Sequence, residues 1–153
     1  MGAHRALRTG AQRIEPCSHG LSMGVALQRV LVLEDDDDLR LLLCDLLVGS
    51  GAKECVSAGS FDEMVRRQEQ VLGCGLALLD VNLGGGVPSG LDAFHWLKAN
   101  QFPGRIVFLT GHARSHPLVR QARELTGAQV LSKPVNAKVL MALVREPHGP
   151  GAP

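Results

Sequence analysis

Apolar runs without polar alternation, each followed by a segment of helical spacing, constrain this chain more than any other feature. The runs are RVLVLED (29–35), the weaker AKECVSA (52–58), GLALLD (75–80), RIVFLT (105–110) and AQVLSKP (128–134). A strand that is apolar at successive residues is buried on both faces, which is the mark of a parallel sheet covered by crossover helices. Between the runs, Leu39, Leu42, Leu43, Leu46 and Leu47 recur at helical spacing, one of Asp36, Asp37 and Asp38 caps that helix, and Gly49 or Gly51 stops it. Ser60 and Glu63 form a capping box ahead of FDEMVRRQEQ, which reads as one helix. LDAFHWLKA presents Leu91, Phe94 and Leu97 on one face, with Trp96 nearer the margin. Ser115 is expected to cap a helix through Leu125, with Pro117 in its first turn and Gly127 beyond its end, and Asn136 caps AKVLMALVR. The sequence thus predicts an α/β fold: a doubly wound, five-stranded parallel sheet with helices on both faces.

At 153 residues, 45% of them hydrophobic, the chain can bury one core, and two domains would be cramped. Residues 29–145 are expected to form that domain, with flexible tails at 1–28 and 146–153. The N-terminal stretch is Arg-rich and lacks the apolar centre of a secretory signal, and Met23 offers an alternative start. No apolar run is long enough to span a membrane. A net charge of +1 gives no footprint for direct nucleic-acid binding. Cys17, Cys44, Cys55 and Cys74 show neither a CxxC pair nor zinc spacing and read as free thiols of a reducing compartment, which points to a cytoplasmic protein.

Parallel sheets of this kind bind ligands outside the carboxyl ends of their strands. Glu34 and Asp35 stand at the end of the first run, Asp80 at the third, Thr110 at the fourth and Lys133 at the fifth. Clustered carboxylates repel and persist where a cation neutralises them, and a small set of hard oxygen ligands suits Mg2+. A hydroxyl and an ammonium facing the same place would hold phosphoryl oxygens. Asp80 is then a metal ligand only, or also a nucleophile that forms an acyl phosphate. Asp36 to Asp38 need no such role, because carboxylates favour a helix N-terminus. His112 and His116 lack a third ligand, and the GGG at 84–86 meets no nucleotide-binding fingerprint.

The segments LVLEDD, ALLDVNL, VFLTG and VLSKP, in this order and at these strand ends, resemble the receiver domain of two-component response regulators over roughly residues 29–145. The resemblance implies a flavodoxin-like sheet of order 2-1-3-4-5. It implies that Asp80 accepts a phosphoryl group from a histidine kinase or phosphotransfer protein. Asp35 would touch Mg2+ directly, Glu34 through water, and Asn82 through its backbone carbonyl. Thr110 and Lys133 would meet the phosphoryl group, and the Lys133–Pro134 bond would be cis. The domain would signal by conformational switching, through the face of its fourth helix, fifth strand and fifth helix, to a protein target or a homodimer formed on phosphorylation.

The chain departs from the family pattern in places. Gly84 stands where a Pro is usual, and the loop after Asp80 is longer. Val130 replaces the usual aromatic switch residue, and with no Tyr in the chain the usual aromatic rotation coupled to Thr110 is not available. Gly111 replaces the small alanine after the threonine and opens the site. After Arg145 too little chain remains for an output module, so the protein is a stand-alone receiver or a piece of a larger regulator or hybrid kinase. Other readings are a receiver-like module that docks without phosphorylation, and a small haloacid-dehalogenase-like phosphatase using Asp35 and Asp37.

Overall fold

The computed structural model describes residues 28–85 and 87–146. Residues 1–27 and 147–153 of the two expected tails, with the alternative start at Met23 and Cys17, and Gly86 of the GGG run lie outside the described residues. The chain runs β1 (Arg29–Leu33), α1 (Asp37–Gly49), β2 (Glu54–Ala58), α2 (Phe61–Arg66), α3 (Gln68–Leu72), β3 (Leu76–Asp80), α4 (Gly90–Ala99), β4 (Arg105–Thr110), α5 (Pro117–Thr126), β5 (Gln129–Ser132) and α6 (Ala137–Arg145). The strands form a five-stranded sheet of order β2-β1-β3-β4-β5, with every pairing parallel.

The apolar runs explain the layering. Along β1, β3 and β4, Leu31, Leu33, Ala77, Leu79, Ile106 and Phe108 point to one side. There they pack with Met64 of α2, Val71 of α3 and Leu91, Phe94 and Leu97 of α4. The intervening Val30, Val32, Leu76, Leu78, Val107 and Leu109 point to the other side. They meet Leu43 and Leu47 of α1 and Leu140, Leu143 and Val144 of α6. Each central strand is therefore apolar at successive residues between its ends, because each has a helical layer on both sides.

The caps follow the sequence with two corrections. Asp36 accepts from the Leu39 N–H at the start of α1, and Asn136 accepts from the Lys138 N–H at the start of α6. Ser60 caps α2, but the Glu63 carboxylate accepts from the Gly59 N–H, so the expected box is displaced by one residue. α5 is capped by His116, whose Nδ1 accepts from the Leu118 N–H at 3.2 Å, and not by Ser115. Gly127 closes α5 in the left-handed region at φ 64°, the conformation that favours glycine there.

The segment after Ser60 is two helices and not one. Arg67 leaves helical geometry at φ −101° and ψ 28°. Its guanidinium donates to the Ser57 carbonyl of the edge strand β2 and to Gln70.

The thiol reading holds for Cys74, which is buried and pushed up to about 11, chiefly by burial. It fails for Cys44 and Cys55, which form a disulfide between α1 and β2. Packing of α1 over the sheet brings their Cα atoms to 5.5 Å, within bridging range, although the sequence spacing shows no pattern. Cys44 and Cys55 therefore give no argument for a reducing compartment. Among the described residues no helix is long and apolar enough to cross a membrane.

Candidate functional site

The site assembles where β1, β3, β4 and β5 release the chain at their carboxyl ends. Glu34 follows β1 and keeps a sheet-like hydrogen bond from its N–H to the Ala58 carbonyl, which turns its side chain inward. Asp80 ends β3, and Thr110 ends β4 one residue beyond the partner of Asp80 in the register. Glu34 is 2% exposed, Asp80 4% and Thr110 2%, so three polar residues close the top of the core. Lys133, joined to Pro134 by a cis bond, reaches back across the sheet. Its Nζ lies 2.8 Å from Glu34 Oε2 and 3.2 Å from Asp80 Oδ2.

These contacts set the electrostatics. Burial first, and the Glu34 carboxylate second, push Asp80 up to about 7, against the opposing pull of Lys133. Burial works against the charge on Lys133, but the hydrogen bond to Glu34 and the charge of Asp80 outweigh it and hold the ammonium above the usual lysine range. One cation thus serves two buried carboxylates. Asp35 adds a third, exposed carboxylate, and one ligand atom each from Glu34, Asp35 and Asp80 can be chosen so that all lie within 4.8 Å of one another. A compact all-oxygen set with excess negative charge fits a small divalent cation.

The loops after β3 and β4 meet above Asp80. The Asn82 N–H donates to Asp80 Oδ1 at 3.2 Å, and Asn82 Oδ1 accepts from the Gly84 N–H. That second bond fixes the amide so that Nδ2 faces His112 Nε2 at 3.0 Å. The His112 N–H in turn donates to Thr110 Oγ1 at 3.0 Å, and its ring stacks on His116 with centroids 4.2 Å apart.

The structure brings Glu34, Asp35, Asp80 and Lys133 into one charge cluster, bonds the Asn82 N–H to Asp80, and places Thr110 at the end of the adjacent strand. His112 was expected to carry nothing, and only the bond it makes across two loops reveals its place. A side chain added at Gly111 would meet nothing within 4 Å, in line with an open mouth on that side. Val130, in the aromatic position, is half-buried against the α2–α4 side of the core.

The family profile of the response regulator receiver domain matches residues 30–145. The chain belongs to the receiver-domain family. Solved receivers share the fold of this one at low identity. A response regulator receiver domain protein from Clostridium thermocellum is 24% identical, with a TM-score of 0.63, over 77% of this chain and 91% of that one. The chemotaxis protein CheY4 of Vibrio cholerae is 23% identical, with a TM-score of 0.62, over 76% and 94%. The signal receiver domain of a LuxO repressor protein from Vibrio parahaemolyticus is 24% identical, with a TM-score of 0.58, over 74% and 84%. No curated protein sequence matches this receiver. Its sheet order is the flavodoxin-like order that the sequence resemblance implied.

Proposed function

We propose that this receiver takes a phosphoryl group onto Asp80 from a phosphohistidine of a histidine kinase or phosphotransfer protein. The observation that carries the reading is the buried Asp80 carboxylate, 3.2 Å from the Lys133 ammonium and within one ligand cluster with Glu34 and Asp35. Asp35, Asp80 and the Asn82 backbone carbonyl would hold Mg2+, which when bound neutralises charge on the phosphoryl oxygens. An Asp80 oxygen forms the new P–O bond as the P–N bond of the donor breaks. The electron pair passes to the imidazole nitrogen, and the product is an acyl phosphate. Lys133 exchanges its carboxylate partners for a phosphoryl oxygen, and the Thr110 hydroxyl donates to another.

The phosphatase reading has less support. Asp37 lies in α1 and pairs with Arg40 at 2.5 Å, whereas Asp80 faces the lysine. Signalling follows when the phosphorylated and free forms bind a partner with different affinity. The Asn82–His112 bond couples the loop after β3 to the loop that leads into α5, which supports the α5–β5–α6 face as the candidate output surface, to be read by a target protein or a second copy.

Borohydride reduction of the phosphorylated protein, followed by peptide mapping, tests the acceptor directly. Reduction of an acyl phosphate on Asp80 leaves homoserine at position 80. Conversion at Asp35 or Asp37 with Asp80 untouched would overturn the assignment.

A further inference from the structure

Arg40 is a half-buried cation beside an acidic cluster, yet it touches none of the three clustered carboxylates. Its Nη1 donates to the backbone carbonyl of Glu34 at 2.8 Å, and its Nη2 pairs with Asp37 at 2.5 Å. The Glu34 N–H is already held by the Ala58 carbonyl. Both backbone polar groups of Glu34 are therefore fixed, one by the edge strand and one by a guanidinium from α1. The carbonyl belongs to the peptide that joins Glu34 to Asp35, so its tilt sets the direction in which the exposed Asp35 leaves the buried Glu34. Gly59 leaves room for this arrangement: a Cβ there would lie 2.9 Å from Arg40 Nη1.

We infer that Arg40 is a positioning residue, which orients the Glu34–Asp35 peptide so that the two carboxylates converge with Asp80 on a divalent cation. The inference rests on the proposed metal-dependent reading of the site. It makes a prediction opposite in sign to simple electrostatics. A positive charge near a cation site repels the cation, so removing it would tighten binding if charge alone mattered. If orientation matters, removing it weakens binding, as loss of an outer hydrogen bond to a metal ligand does.

The test is calorimetric titration of MgCl2 into the metal-free protein, for the wild type, Arg40→Met, Arg40→Lys, Gly59→Ala and the Arg40→Met/Gly59→Ala pair. Arg40→Met keeps the aliphatic stem and is expected to raise the Mg2+ Kd about tenfold, the low end for such partners. Arg40→Lys keeps the charge but cannot hold Glu34 and Asp37 together, and it is expected to fall between. Gly59→Ala displaces the guanidinium without deleting it and should weaken Mg2+ in the same direction, with the double variant no worse than Arg40→Met. Without metal, the Glu34 carbonyl carbon and Asp35 amide nitrogen resonances should shift in all of these variants.

Unchanged or tighter Mg2+ binding in Arg40→Met or Gly59→Ala, beside a wild type that binds Mg2+, overturns the positioning role and leaves the proposed function standing. A wild type that binds no Mg2+ overturns both. Should Arg40→Met fail to fold, Gly59→Ala decides alone, because it retains every charged group.

Discussion

Gly90→Ala is expected to destabilise the protein by about 3 kcal/mol or more, the upper end for overpacking. A Cβ at residue 90 would lie 2.1 Å from the Asp80 carbonyl oxygen, 2.9 Å from its carbon and 3.1 Å from the Val81 Cα. All three are backbone atoms, so no rotamer change relieves the clash. The Gly90 N–H also donates to the Val81 carbonyl at 3.1 Å, pinning the start of α4 to the exit of β3. To accommodate a methyl group the helix must lift, which withdraws Leu91, Phe94 and Leu97 from the core and moves the peptide that carries Asp80. Urea unfolding measures the loss. Gly111→Ala is the control, because a Cβ there meets nothing within 4 Å, and it should stay within about 0.5 kcal/mol of wild type. A Gly90→Ala protein of wild-type stability would contradict the described approach of α4 to β3.

The metal-free protein is expected to lose stability as pH rises from about 4 to above 7. Asp80 is pushed up to about 7, foremost by burial and then by Glu34, whereas an unfolded Asp titrates near 3.9. The folded state therefore holds more protons than the unfolded state between those values. The stability linked to that proton is fully present below about pH 4 and is lost as pH rises through 7. The shift corresponds to at most about 4 kcal/mol. Asp80→Asn should flatten this slope and be more stable than wild type at pH 8. Lys133→Met should steepen it, because Glu34 and Asp80 then face each other in the core without their shared cation. Removing one partner of a buried ion pair costs about 3–5 kcal/mol, and the cost should shrink at pH 5 as Asp80 takes up its proton. Urea midpoints for the three proteins in EDTA between pH 4 and 8 check both signs. A wild-type midpoint that rises across this range would contradict the buried, Glu34-opposed Asp80.

The features that were legible in the sequence share a physical cause. β1, β3 and β4 are covered on both faces, so their residues are apolar without alternation, and the first polar residue after each run marks the strand end. Glu34, Asp80 and Thr110 could be placed by that rule, and Lys133 by the proline that follows it. What could not be read depends on packing between distant segments. The break at Arg67 comes with a guanidinium bond to a carbonyl of β2 ten residues back in the chain. Cys44 and Cys55 meet only once α1 lies on the sheet. His116 takes the cap expected of Ser115 through a ring nitrogen, a donor–acceptor choice that spacing does not reveal. His112 and Asn82 are 30 residues apart, and Gly90 looks like any helix-initiating glycine until its distance to Asp80 is known.

The central claim is that Asp80 accepts a phosphoryl group with the help of a divalent cation. Intact-protein mass spectrometry after incubation with acetyl phosphate tests it most directly, with and without Mg2+, for wild type and Asp80→Asn. The account predicts a single phosphoryl adduct on wild type that needs Mg2+ and is absent from Asp80→Asn. An adduct that persists in Asp80→Asn, or that forms equally well in EDTA, would contradict it.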